Sequence, residues 1–147
     1  MSHSGAADLL AGTLSLLLMM ISALIHYEGL RLLSARLPRA RAVENHAKVM
    51  VAIGGATVSH LVQIVLYATA YYMLRDRFGL GGFGGHFRDA FSTFIYFSAE
   101  SYTSLGMGDI FPIGSLRLLT GIETLTGLLM VSWTASFTYL EMQRYWK

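Results

Sequence analysis

From Val49 to Leu74 the sequence carries no Asp, Glu, Lys or Arg, and from Leu9 to Ile25 none either. Runs of that length constrain a fold more than any other feature here, because about 20 apolar residues cover the hydrocarbon of a bilayer as a helix. A third run, Leu118 to Leu140, contains one acid, Glu123. In hydrocarbon every backbone N–H and C=O needs a partner inside the protein, so spans of this kind fold as helices. The first run extends to about Leu33. Composition agrees: 54% of the 147 residues are hydrophobic and 14% are charged, well below the roughly 25% of a soluble domain. The expected fold is an all-α membrane protein. There is no cysteine, so disulfides and thiolate metal sites are excluded, and a net charge of +2 gives no reason to expect nucleic acid. The opening MSHSGAADLL has no basic stretch, which argues for a retained first span rather than a cleaved leader.

Basic residues set the expected orientation. Arg31, Arg36, Arg39, Arg41 and Lys48 surround the first linker and Arg144 and Lys147 close the chain, against Arg75, Arg77, Arg88 and Arg117 on the other side. The richer side reads as cytoplasmic. The expected layout is an N-terminal helix over 1–34, a basic cytoplasmic linker over 35–48, a pore domain over 49–141 and a short tail over 142–147, with the N-terminus outside. Tyr71, Tyr72, Tyr145 and Trp146 fit interfacial belts. The stretch FGLGGFGGHF follows no strand and reads as a flexible, exposed connection.

A fourth apolar stretch, Ala90 to Phe97, is too short to cross and suits a re-entrant segment. Asp89 stands where an acid caps a first turn. After it, TSLGMGDIFP must bring the chain back, and irregular backbone at that depth has to be buried in protein or line water. Gly106 and Gly108 permit positive φ, which lets successive carbonyls face one way. Rings of carbonyls are how a dehydrated cation is held.

TSLGMGD, preceded by a short helix and followed by a proline, resembles the potassium-channel signature T-x-G-Y-G-D. The similarity runs from about Val49 to Leu140: outer helix 49–74, pore helix and filter 89–109, inner helix 115–141. The chain resembles the two-helix pore domain of the bacterial potassium channel superfamily with one extra helix in front. The resemblance implies a filter at Thr103, Ser104, Leu105, Gly106, Met107 and Gly108, with a monovalent cation held at Ser104, Leu105, Gly106 and Met107. It implies that Glu100 and Asp109 form a carboxyl pair behind the filter, sharing a proton if both are buried close together. Met107 stands where the family has tyrosine, Leu105 where it has valine and Ser104 where it has threonine. Gly127 corresponds to the family's inner-helix hinge; close helix packing is the other reading of that glycine.

The function implied is passive conduction through a homotetramer in a bacterial inner membrane, selective for potassium, with no cofactor beyond the permeant ion. Alternatives are a weakly selective sodium and potassium channel and a non-conducting, pore-like regulatory subunit. An intramembrane enzyme using His26, Glu28, His60 or Glu123 lacks any accompanying nucleophile or metal motif. No periodic arginines mark a voltage sensor, and no ligand-binding domain is expected after the last span. His60 and Gln63 are candidate partners for Glu123, as a structural pair or a pH-sensing element. The stretch His26–Arg31 reads as interfacial. Ser132, Thr134, Ala135 and Thr138 are placed by helical spacing to face water in the lower pore.

Overall fold

The computed structural model describes residues 2–40 and 44–145; Arg41, Trp146 and Lys147, used above for orientation and the aromatic belt, lie outside them. Three long helices carry the apolar runs. α1 spans Ser2–Arg36, α2 Asn45–Asp76 and α4 Leu116–Tyr145, and each is long and apolar enough to cross a membrane. Between α2 and α4 lies the short helix α3, Phe91–Tyr102. The helical architecture and the three spans are those expected from the sequence.

Side-chain contacts give the helices a common sense. The Ser115 hydroxyl, just before α4, donates to Asp8 near the start of α1 at 2.7 Å. At the other end, Leu37 after α1, Val49 and Ala52 of α2 and Tyr145 of α4 pack together. The starts of α1 and α4 therefore share one side of the bundle, and the α1–α2 connection shares the other with the end of α4. Much of each span's apolar surface points outward, including Leu17, Met20 and Leu24 of α1 and Leu125, Leu128 and Leu129 of α4. Such a surface suits lipid or further copies of the chain rather than water.

The glycine-rich stretch is ordered, which corrects its reading as a flexible connection. β1, Gly81–Gly85, pairs antiparallel with β2, Ile110–Gly114, in the register Gly81 with Gly114 to Gly85 with Ile110. The glycines allow the two backbones to meet: a Cβ on Gly85, whose φ is +110°, would lie 2.0 Å from the Asp109 carbonyl oxygen. The one large side chain of β1, Phe83, enters an aromatic cluster, with its ring 4.8 Å from Phe97, 5.6 Å from Tyr71 and 5.7 Å from Phe94 between centroids. Edge-to-face packing of that kind adds about 0.5–1.5 kcal/mol per pair beyond area burial.

Asp89 does not cap α3. The residue before the helix is Ala90, in extended conformation and without a side-chain cap. Asp89 is drawn instead to Arg75 at the end of α2, whose guanidinium donates to both carboxylate oxygens at 2.6 and 3.0 Å. That bidentate pair holds the Asp89 carboxyl below its ordinary range. Thr93 supplies the local closure, donating its hydroxyl to the Arg88 carbonyl at 2.6 Å.

Gly85→Ala should lower the thermal unfolding temperature of the detergent-solubilised protein, by a cost of about 1–3 kcal/mol for overpacking. Gly82→Ala is the control, because no atom lies within 4 Å of its Cβ position. Equal melting of both variants would show that the ribbon does not depend on close approach.

Candidate functional site: the turn after the short helix

α3 buries one face, with Phe94, Phe97, Ser98 and Ser101 at helical spacing and Phe91, Ser92 and Tyr96 exposed, and it is buried more completely toward its end. Phe94, Phe97, Ser98, Glu100, Ser101 and Tyr102 are all buried against α2 and α4, and the residues that follow, Thr103 to Asp109, are all exposed on the single chain. The helix ends in a Schellman cap. The Leu105 amide donates to the Glu100 carbonyl at 2.8 Å, and the Ser104 amide to the Ser101 carbonyl at 3.1 Å. The motif needs a left-handed residue after the last helical turn, normally glycine. Here it is Ser104, with φ of 61°.

Left-handed backbone then recurs at every second position. Gly106 has φ of 54° and Gly108 of 80°, while Leu105 and Met107 between them keep negative φ. An extended strand points successive carbonyls to opposite sides; alternating the sign of φ turns them toward a common side. Among the described residues, no hydrogen bond is made to any carbonyl from Thr103 to Gly108. The amides of the same stretch are partly tied down: Leu105 and Gly106 donate to the Glu100 carbonyl, and Met107 donates to Glu100 Oε2 at 3.2 Å. Glu100 thus holds the turn with its backbone and its side chain together.

Glu100 and Asp109 have separate partners. Asp109 is exposed and accepts from the Tyr96 hydroxyl at 3.2 and 3.3 Å, and no hydrogen bond joins the two carboxyls among the described residues. A proton shared between two buried carboxylates therefore has no counterpart here, because only Glu100 is buried. Tyr96 was not singled out by the sequence. Its hydroxyl also lies 3.2 Å from the Met107 sulfur, so the helix reaches across to the residue that stands in the tyrosine position. Contacts of this type, from i to i+11 and i+13, leave no periodic trace.

Glu123 is fully buried on α4, and its partners are neither His60 nor Gln63. The Tyr71 hydroxyl donates to one oxygen at 2.6 Å, and the Ser98 hydroxyl of α3 to the other at 2.5 Å. Both donors are neutral and short, so they satisfy the carboxyl without a counter-charge. Tyr71 is consequently buried rather than interfacial, and Tyr145 is buried as well; Tyr72 remains partly exposed. His60 and Gln63 belong to a second network with His26, Tyr102 and Thr134. His26 is fully buried there, which corrects its interfacial reading, while Glu28 and Arg31 pair with each other on the exposed face at 2.8 and 2.9 Å. Thr134 bonds to both histidines and does not face open water; Ser132 and Ala135 are exposed and Thr138 is half-buried.

Gly127 lies directly under the end of α3. A Cβ there would come within 1.9 Å of the Tyr102 carbonyl oxygen, and α4 runs through this point as one continuous helix. Close packing explains the glycine without a bend. Among the described residues, no cluster of three or more His, Asp or Glu is arranged to hold a metal ion.

Comparison with known families agrees with this geometry. A family model described as ion channel matches residues 59–143, which cover α3, the turn, the ribbon and nearly all of α4. The chain belongs to this ion channel family, whose domain is a two-helix, potassium-channel-like unit, and it is a multi-pass membrane protein. No curated protein and no solved structure gives a significant match.

Gly127→Ala should displace the end of α3 and cost about 1–3 kcal/mol, read as a lower unfolding temperature. Gly121→Ala on the same helix, with nothing within 4 Å of its Cβ position, should leave it unchanged. A null result for both would remove the close contact as the reason for Gly127.

Proposed function

We propose that the protein is a passive channel for potassium, assembled from four copies around an axis lined by Ser104, Leu105, Gly106, Met107 and Gly108. One observation carries the reading: a stretch of backbone with φ of alternating sign and carbonyls free of hydrogen bonds, at the end of a buried helix. Unpaired carbonyls at membrane depth cost several kcal/mol each unless something replaces water. A dehydrated cation ringed by such oxygens satisfies both parties. One copy offers a single row of carbonyls, which cannot surround an ion; a closed cyclic arrangement supplies the rest, and four is the number the resemblance implies. The exposed surface of Thr103–Asp109 on the single chain is then the surface that neighbouring copies cover. Thr103 ends the helix, so the negative end of the α3 dipole faces the ion path.

Glu100 and Tyr96 brace the row from behind. Met107 cannot make the hydroxyl contact that a tyrosine at its position would make, and its thioether is only a weak acceptor. That residue favours a second reading, a channel that discriminates weakly between sodium and potassium. The excess of basic residues at the α1–α2 connection orients the protein with that side in the cytoplasm and the turn outside, in a bacterial inner membrane.

Purified protein in liposomes should carry potassium down its gradient, and Gly106→Val should abolish that flux, since a side chain there obstructs the axis. Flux that survives Gly106→Val overturns the pore assignment. Met107→Tyr should raise the potassium-to-sodium permeability ratio about 2–10-fold, the scale of one regained hydrogen bond. An unchanged ratio means that position 107 does not limit selectivity.

A further inference from the structure

The matched channel segment begins at residue 59, so α1 lies outside it. Yet α1 contributes one member to a closed ring of side chains at the foot of the candidate filter. We propose that His26 of α1 is a positioning residue for the filter, acting through a five-membered hydrogen-bond ring that fixes Tyr102, the residue before Thr103. Its consequence for ion selectivity rests on the channel reading above; its consequence for the geometry of the turn does not.

The ring has one direction. Gln63 Nε2 lies 3.2 Å from the Ser59 carbonyl oxygen, which can only accept, so the amide nitrogen faces that side and its oxygen faces Tyr102. Tyr102 donates its single proton to that oxygen at 3.0 Å. The Tyr102 oxygen must then accept from His60 Nδ1–H, 2.9 Å away. A neutral imidazole leaves His60 Nε2 as acceptor, and Thr134 donates to it at 2.8 Å. With its proton committed, Thr134 accepts from His26 Nε2–H at 3.1 Å. His26 Nδ1 is then the acceptor, with Gln63 Nε2 at 3.2 Å and the Ser59 hydroxyl at 3.3 Å as its donors, and the ring closes through Gln63. Each link follows from the one before it, given that hydroxyls carry one proton and a neutral imidazole carries one. The ring joins α1, α2, α3 and α4 at one level, with the two imidazole centroids 5.0 Å apart.

Tyr102 is thereby held twice. Its carbonyl rests on Gly127 of α4, and its hydroxyl is locked in the ring. Removing His26 takes one acceptor from Gln63, which keeps the Ser59 carbonyl, and the donor from Thr134, so the ring opens and the hold on the Tyr102 hydroxyl loosens. The turn from Ser104 to Met107 starts from that residue.

The test uses the full chain in lipid nanodiscs. Nitrogen-15 spectra should show His26 protonated at Nε2 and His60 at Nδ1; the reverse tautomers would overturn the ring. Amide hydrogen exchange at Leu105, Gly106 and Met107 should accelerate about 2–10-fold in His26→Leu and in Tyr102→Phe, the scale of one lost hydrogen bond. The double variant should exchange no faster than the quicker single one, because both break one ring. His26→Gln, which keeps a donor and an acceptor, should recover part of the protection, and amides of Gly81–Gly85 should not change. An effect confined to α1, with the turn unmoved, overturns the proposal. If His26→Leu does not fold, Tyr102→Phe and the two tautomers decide. In liposomes the potassium-to-sodium ratio should fall by a similar factor in both single variants. Wild-type protein that carries no ions at all defeats the channel reading, and the exchange measurement still decides the role of His26.

Discussion

A backbone carbonyl that finds no donor is affordable beside water and expensive inside a membrane. In this chain that constraint bears most on the stretch that follows α3. The three long helices satisfy their own backbone. The ribbon satisfies its backbone by pairing. Between the cap of α3 and the start of β2 a row of carbonyls goes without hydrogen bonds among the described residues, on backbone whose φ alternates in sign. Building such a row demands rigid support, because free carbonyls otherwise rotate toward any donor within reach. The support comes from behind: the Glu100 carbonyl and carboxylate hold three successive amides, so the backbone keeps its turn while its oxygens stay open.

The buried polar groups divide into two sets that serve this support differently. Glu123, Tyr71 and Ser98 tie α4 and α2 to the middle of α3. The ring through His26, Gln63, His60, Tyr102 and Thr134 ties all four helices to its end. Both sets are made of groups that saturate one another, which is the condition for polar side chains in a low-dielectric interior to stabilise rather than cost. Neither set includes a full ion pair, so neither carries the large desolvation penalty of two buried charges.

The spans, the short helix and the returning turn were legible because charge-free length and glycine spacing report directly on membrane depth and backbone conformation. The ribbon was not, because a strand made of glycines has no side chains to alternate; its pairing is visible only when Asp109 and Ile110 are brought alongside it. The left-handed Ser104 escaped notice for the opposite reason, since serine is not the residue that a helix cap usually takes. Partners of buried acids and histidines were the least readable. Glu123 lies level with Tyr71 and His60 lies level with Thr134, so the two are several helical turns apart in depth and never come alongside. Sequence spacing fixes a residue's position along its own helix and says little about how far two helices are offset against each other.

Asp109 and Ile110 follow the turn directly, and Ile110 pairs with Gly85. The turn is therefore moored at its far end to a two-stranded clasp, as it is moored at its near end to the cap of α3. A cord fixed at both ends keeps its contour length: it can bow sideways at its middle, but it has no slack with which to unravel. The middle of this cord is Gly106 and Met107. Glu100 and Tyr96 limit that bowing from the α3 side, so changes of shape fall on the next residue, Gly108, whose amide and carbonyl make no hydrogen bond among the described residues.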